Sequence, residues 1–158
     1  ALGGWVSTNY AVLACPEFPM CQGQWWPVMD FRQGFEVWRE LGMTASGVPI
    51  DFAALTAIHY VHRLMAYLVL ALLFASAYAL HRLGWRRPAK MLGALTSLQL
   101  LTGLSNVVFD WPLAAALLHT AGAAALALLL TWLVTESKAS RSDDASRPLA
   151  MKKFESVA

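Results

Sequence analysis

The chain reads as long apolar runs separated by shorter polar connectors. Three runs dominate: residues 53–80, 91–109 and 112–134. Each is long enough to cross a bilayer as a helix, which takes about 20 residues. A helix also satisfies its own backbone hydrogen bonds, as a spanning segment in lipid must. The chain opens on ALGGWVS, apolar and Gly-rich, with no initiator Met, no basic n-region and no small-residue cleavage site. That is not the pattern of a signal peptide. Residues 1–8 are read instead as the end of a helix whose beginning is missing. The pattern predicts an all-α fold, a polytopic membrane helical bundle of three complete spans plus the end of a fourth.

Residues 9–51 form the long connector. Within it FRQGFEVWRELG, residues 31–42, sets Phe31, Phe35 and Trp38 on one side and Arg32, Glu36, Arg39 and Glu40 around the other at helical spacing. This predicts a short amphipathic helix lying on the membrane surface, a lid without chemistry of its own. Trp25 and Trp26 fit the aromatic belt at the interface. Residues 52–135 form the bundle, and residues 136–158 read as a disordered polar tail, mixed in charge and rich in Ser and Ala.

Composition sharpens this picture. Hydrophobic residues make up 58% of the 158 and charged ones only 14%, far from a soluble domain. The chain is therefore assigned to the lipid bilayer. A formal charge of +2, without blocks of like charge interleaved with aromatics, gives no case for nucleic acid. Basic residues fix the orientation, because cytoplasmic segments retain them. Arg82, Arg86, Arg87 and Lys90 lie in the first short connector, and Lys138, Arg141, Arg147, Lys152 and Lys153 in the tail, against Arg32 and Arg39 alone in residues 9–51. Connector and tail are expected in the cytoplasm, and residues 9–51 outside, in the periplasm if the membrane is a bacterial inner membrane.

Cys15 and Cys21, in CPEFPMC, then face an oxidising compartment where disulfides persist. So short a loop can bring two thiols to bonding distance; two free or metal-binding cysteines are the alternative.

The first span holds the unusual stretch TAIHYVHRLMAY, with His59, His62 and Arg63. A charged side chain at membrane depth costs at least ~2.5 kcal/mol, so it is rarely kept without a partner or a task. His62 lies about 14 Å down its span and His119 about 10 Å down the third, at 1.5 Å per residue. Those two spans run in the same direction, so the imidazoles arrive at similar depth. His119 is surrounded by Ala, Gly and Leu, small neighbours that leave room for a flat group or for close helix approach. Two imidazoles from neighbouring helices are a common axial arrangement for a b-type haem iron. Satisfied core histidines are the plainer reading of each taken singly, and a three-His metal site with His59 is a third. His59 is otherwise a polar residue hydrogen-bonded to the outer connector. Arg63 cannot lose its charge and needs an anion. A haem propionate would match its fork; lipid phosphate reached by snorkelling is the alternative. Gln99, Thr102, Gly103, Ser105 and Asn106 read as helix-packing residues, with a hydrogen bond to a porphyrin edge as the lesser role. His81, beside Arg82, is expected to be indifferent.

The stretches GGWVSTNYAVLACPEFPMCQGQWWP, IHYVHRLMAY and QLLTGLSNVVFDWPLAAALLHTAGAAALALLL resemble the second half of haem A synthase, the CtaA family, over residues 3–133. That family joins two homologous four-helix halves, each with two histidines facing a haem and a cysteine pair in its first outer loop. The resemblance implies that His62 and His119 are axial ligands of haem b and that Cys15 and Cys21 form a disulfide. In the substrate half a catalytically important glutamate precedes the first histidine by three residues; here that position is His59, so no catalytic residue is expected in this half. The resemblance further implies oxidation of haem O to haem A for cytochrome oxidase biogenesis. Its partners would be the N-terminal half of the same protein, haem O bound there, and haem O synthase. The fragment alone is expected to bind haem without catalysing. From different classes, a membrane cytochrome b electron-transfer subunit and a scaffold in which the histidines merely pack are the competing readings.

Overall fold

The structure, a computed structural model, describes residues 1–155, with side chains through residue 139. The elements run α1 (Leu2–Thr8), a 3-10 turn (Ala11–Leu13), α2 (Phe31–Gly34), α3 (Phe52–Arg82), α4 (Arg86–Val108) and α5 (Leu113–Glu155). Among the described residues there are no strands, only two isolated bridges in the connector. Three helices are long and apolar enough to cross a membrane: Phe52–Arg82, Arg86–Val108 and Leu113–Ala139. These are the three spans the apolar runs predict. The fold is an all-helical bundle.

Local chemistry sets the ends of the spans. α3 stops in a Schellman arrangement: Trp85 N–H reaches Leu80 O at 3.0 Å and Gly84 N–H reaches His81 O at 3.1 Å. Gly84 supplies the left-handed residue that this closure needs, at φ +86°. α4 begins at Arg86, ahead of its apolar run, because Pro88 falls in the first turn, where a missing N–H costs no intrahelical bond. α5 continues as helical backbone into residues 136–155, the stretch that composition assigns to a disordered tail. Extending a helix already nucleated fixes one residue per hydrogen bond gained. Residues 156–158 of that tail lie outside the described residues.

The connector differs from expectation. The helix expected over residues 31–42 is a single turn, Phe31–Gly34. Asp30 caps it, its Oδ1 accepting from Gln33 N at 3.0 Å. It ends at Gly34, a poor helix former whose carbonyl is taken by the Trp5 indole N–H at 2.9 Å. Trp38 then projects outward at 93% exposure instead of completing an apolar face. α2 is held against α3 by backbone contact: a Cβ on Gly34 would stand 2.9 Å from Ala54 O.

Two apolar clusters bracket the bundle. At the connector end Val6, Ala11, Ile50, Ala54 and Ile58 bind α1, the 3-10 turn and α3 together. At the opposite end Ala77, Leu92, Leu126, Leu129 and Leu133 join α3, α4 and α5. α3 packs along α4 and α4 along α5, whereas α3 and α5 have no comparable mutual contact.

Candidate functional site

That packing order leaves the two histidine-bearing spans separated by α4, at the level between the two clusters. His62 lies on α3 and His119 on α5, both half-buried. Small residues shape their surroundings. A Cβ on Gly3 of α1 would lie 3.5 Å from His62 Cε1, and one on Gly103 of α4 would lie 3.1 Å from His119 Cε1.

His119 is the better anchored of the two. Its Nδ1 is 3.0 Å from Thr102 Oγ1, and its carbonyl accepts from Gln99 Nε2 at 2.9 Å. Gly122 makes room for that amide, since a Cβ there would stand 2.2 Å from Gln99 Nε2. Gln99, Thr102 and Gly103 thus form a polar and small face of α4 against α5, as helix packing in lipid favours.

His59 and Arg63 belong to another constellation. His59 is buried at 7% exposure, with Nδ1 3.0 Å from Ala11 O. A carbonyl only accepts, so Nδ1 carries the proton. His59 is therefore the polar residue tied to the connector. Arg63, equally buried, turns into the cysteine loop. Its Nη1 donates to Glu17 O and Met20 O, both at 2.9 Å, with Pro19 O at 3.5 Å, and its Nη2 donates to Cys15 O at 3.0 Å. These four contacts tie the guanidinium to the backbone of the cysteine loop. One turn of helix before Arg63, Tyr60 adds to the same joint, its hydroxyl donating to Trp25 O while its ring meets Trp26 edge-on at 5.6 Å.

The loop is closed by a disulfide between Cys15 and Cys21, with Cα atoms 4.7 Å apart and both residues buried. Gln22, at φ +56°, donates from Nε2 to Ala14 O at 2.9 Å and to Thr56 Oγ1 at 2.8 Å. The disulfide, Gln22, Tyr60 and Arg63 thereby fasten the loop to the α3 turns on either side of His59 and His62.

Among the described residues no three His, Cys, Asp or Glu side chains come together to hold a metal ion, so the three-His arrangement does not form. The surroundings of His62 and His119 do fit a flat group coordinated from two sides. The two spans each pack on α4, and small residues line the approach, Gly3 toward His62 and Gly103 toward His119. Asn106 Oδ1, one turn from Thr102 on α4, is buried with no hydrogen-bond partner. In the connector, Nε and Nη2 of Arg39 are likewise buried without a partner among the described residues, its guanidinium 5.5 Å from the Trp5 ring centroid. Sequence reasoning singled out Asn106 but gave Arg39 only to a solvated face; nothing local in EVWREL marks it as folding back onto Trp5.

The chain matches the family described as cytochrome oxidase assembly protein, COX15-CtaA, over residues 1–133. It is 37% identical over 135 residues to the heme A synthase of Shewanella oneidensis, an alignment covering 85% of this chain and 40% of that protein. The chain thus spans about 40% of that relative's length. No solved structure matches it. With nearly its whole helical bundle inside the match, the chain belongs to the COX15-CtaA family of cytochrome oxidase assembly proteins.

Proposed function

We propose that this chain is the half of a haem A synthase that carries a b-type haem, with His62 and His119 as the two axial ligands. The observation that supports this best is the arrangement of the spans: α3 and α5 each pack on α4, and a glycine leaves space at each imidazole, Gly3 beside His62 and Gly103 beside His119. When bound, the haem supplies a one-electron couple and, with both axial positions occupied, offers no open position to oxygen.

The residues divide the work. His62 and His119 would hold the haem, each offering a ring nitrogen to its iron. Thr102 and Gln99 hold His119 against α4. Arg63, Tyr60 and the Cys15–Cys21 loop fix the connector end of α3, and with it the height of His62. The apolar clusters above and below keep water out. His59 stands where the resemblance puts a catalytic glutamate in the other half, and its Nδ1–H is already engaged with Ala11 O. The oxidation of haem O to haem A therefore falls to the N-terminal half of the full-length protein, which this half serves by electron transfer and haem O synthase supplies. Residues 9–51 face the periplasm of a bacterial inner membrane, and the α3–α4 connector and the tail face the cytoplasm.

The test is product formation. The full-length protein, supplied with haem O, yields haem A by chromatography, and the His62→Ala form yields none. A b-type spectrum with no haem A from the unaltered protein would leave a plain cytochrome b relay in its place.

A further inference from the structure

Thr102 was expected to serve helix packing first and a porphyrin-edge hydrogen bond second, yet its hydroxyl meets three groups of the protein. Oγ1 lies 2.7 Å from Leu98 O, 3.4 Å from Gln99 O and 3.0 Å from His119 Nδ1. A hydroxyl has one proton and two lone pairs. The carbonyl of Leu98 can only accept, so the short contact is a hydrogen bond only if Thr102 donates to it. A lone pair of Oγ1 is then left toward His119, and the 3.0 Å contact requires the proton to sit on Nδ1. The neutral ring must in turn carry its free lone pair on Nε2. Gly103 permits the close approach of the ring, and Gln99 pins the His119 backbone in the same turn.

We propose that Thr102 is a positioning residue that locks His119 as the Nε2-coordinating tautomer and makes it the more basic of the two axial imidazoles. This rests on the ligation proposed above. His62 has no hydrogen bond to its ring among the described residues, so the two ligands are unequal. An acceptor on Nδ1–H raises the basicity of a ligating imidazole, and losing one typically costs 10–100-fold in metal affinity.

The experiment uses the full-length protein in membranes, titrating haem and measuring the midpoint potential of the b-type haem in Thr102→Val, Thr102→Ser and His119→Ala. Thr102→Val is expected to bind haem about tenfold or more weakly and at a higher potential, because a less basic ligand stabilises the ferric state less. Thr102→Ser keeps the hydroxyl and should restore both. Wild-type affinity and potential in Thr102→Val, with haem lost in His119→Ala, overturn the positioning role alone. Haem retained in His119→Ala overturns the ligation and the positioning role with it.

Discussion

The role found for Arg63 can be tested by removing its charge while keeping its bulk, as in Arg63→Met. The three carbonyls held at 2.9–3.0 Å then lose a cationic donor: Cys15 O, Glu17 O and Met20 O. Cys15 is buried, whereas Glu17 is exposed and Met20 half-buried. The Cys15 carbonyl therefore bears the full cost of an unsatisfied buried acceptor, ~1–3 kcal/mol, while the other two can turn to water and lose less. Relief from burying a guanidinium offsets part of this, leaving a loop weakened by about 3 kcal/mol. At ~1.4 kcal/mol per factor of ten, that is roughly a 100-fold rise in local opening. The disulfide remains, so the loop loosens without being released. The readout is amide hydrogen exchange at Cys21 and Gln24, whose N–H groups are paired with each other's carbonyls at 3.0 and 3.1 Å. Both should exchange about 100-fold faster. Arg63→Lys should fall between, since one ammonium cannot reproduce the fork. Unchanged exchange in Arg63→Met together with loss of haem would refute the reasoning and return Arg63 to a propionate.

Two further substitutions probe the packing around the site. Gly34→Ala should destabilise the chain by about 1–3 kcal/mol in unfolding from mixed micelles, because the new Cβ would meet backbone, Ala54 O at 2.9 Å, and not a side chain that can move; full stability would mean that α2 does not seat on α3 as described. Gly122→Ala should displace Gln99 from His119 O and cost ~0.5–1 kcal/mol. Most of that cost should vanish when Gln99 is already Ala, a coupling that a double-mutant cycle reads directly; additive costs would argue against the Gln99 contact.

The spans were legible because their signal is a sum over many residues. Apolar runs put α3 within two residues of both its ends. The histidines were legible because an ionisable group in such a run is rare. What escaped depends on partners far along the chain. Arg63 meets carbonyls 43 to 48 positions away, and carbonyls leave no trace in a sequence, so its hold on the cysteine loop could not be read. The amphipathic spacing of residues 31–42 overstated its helix because Trp5 competes for the Gly34 carbonyl, a contact across 29 positions. Thr102 was visible as a polar residue on α4, but its link to His119 needed the register of α4 against α5.

The proposed function requires that one iron be shared by the imidazoles of α3 and α5. The most direct measurement is electron paramagnetic resonance of the oxidised full-length protein, comparing the unaltered chain with His62→Ala and His119→Ala. A low-spin bis-imidazole ferric signal should be present in the first and absent from both variants, through loss of haem or conversion to a high-spin form. Persistence of that signal in either variant would contradict the claim.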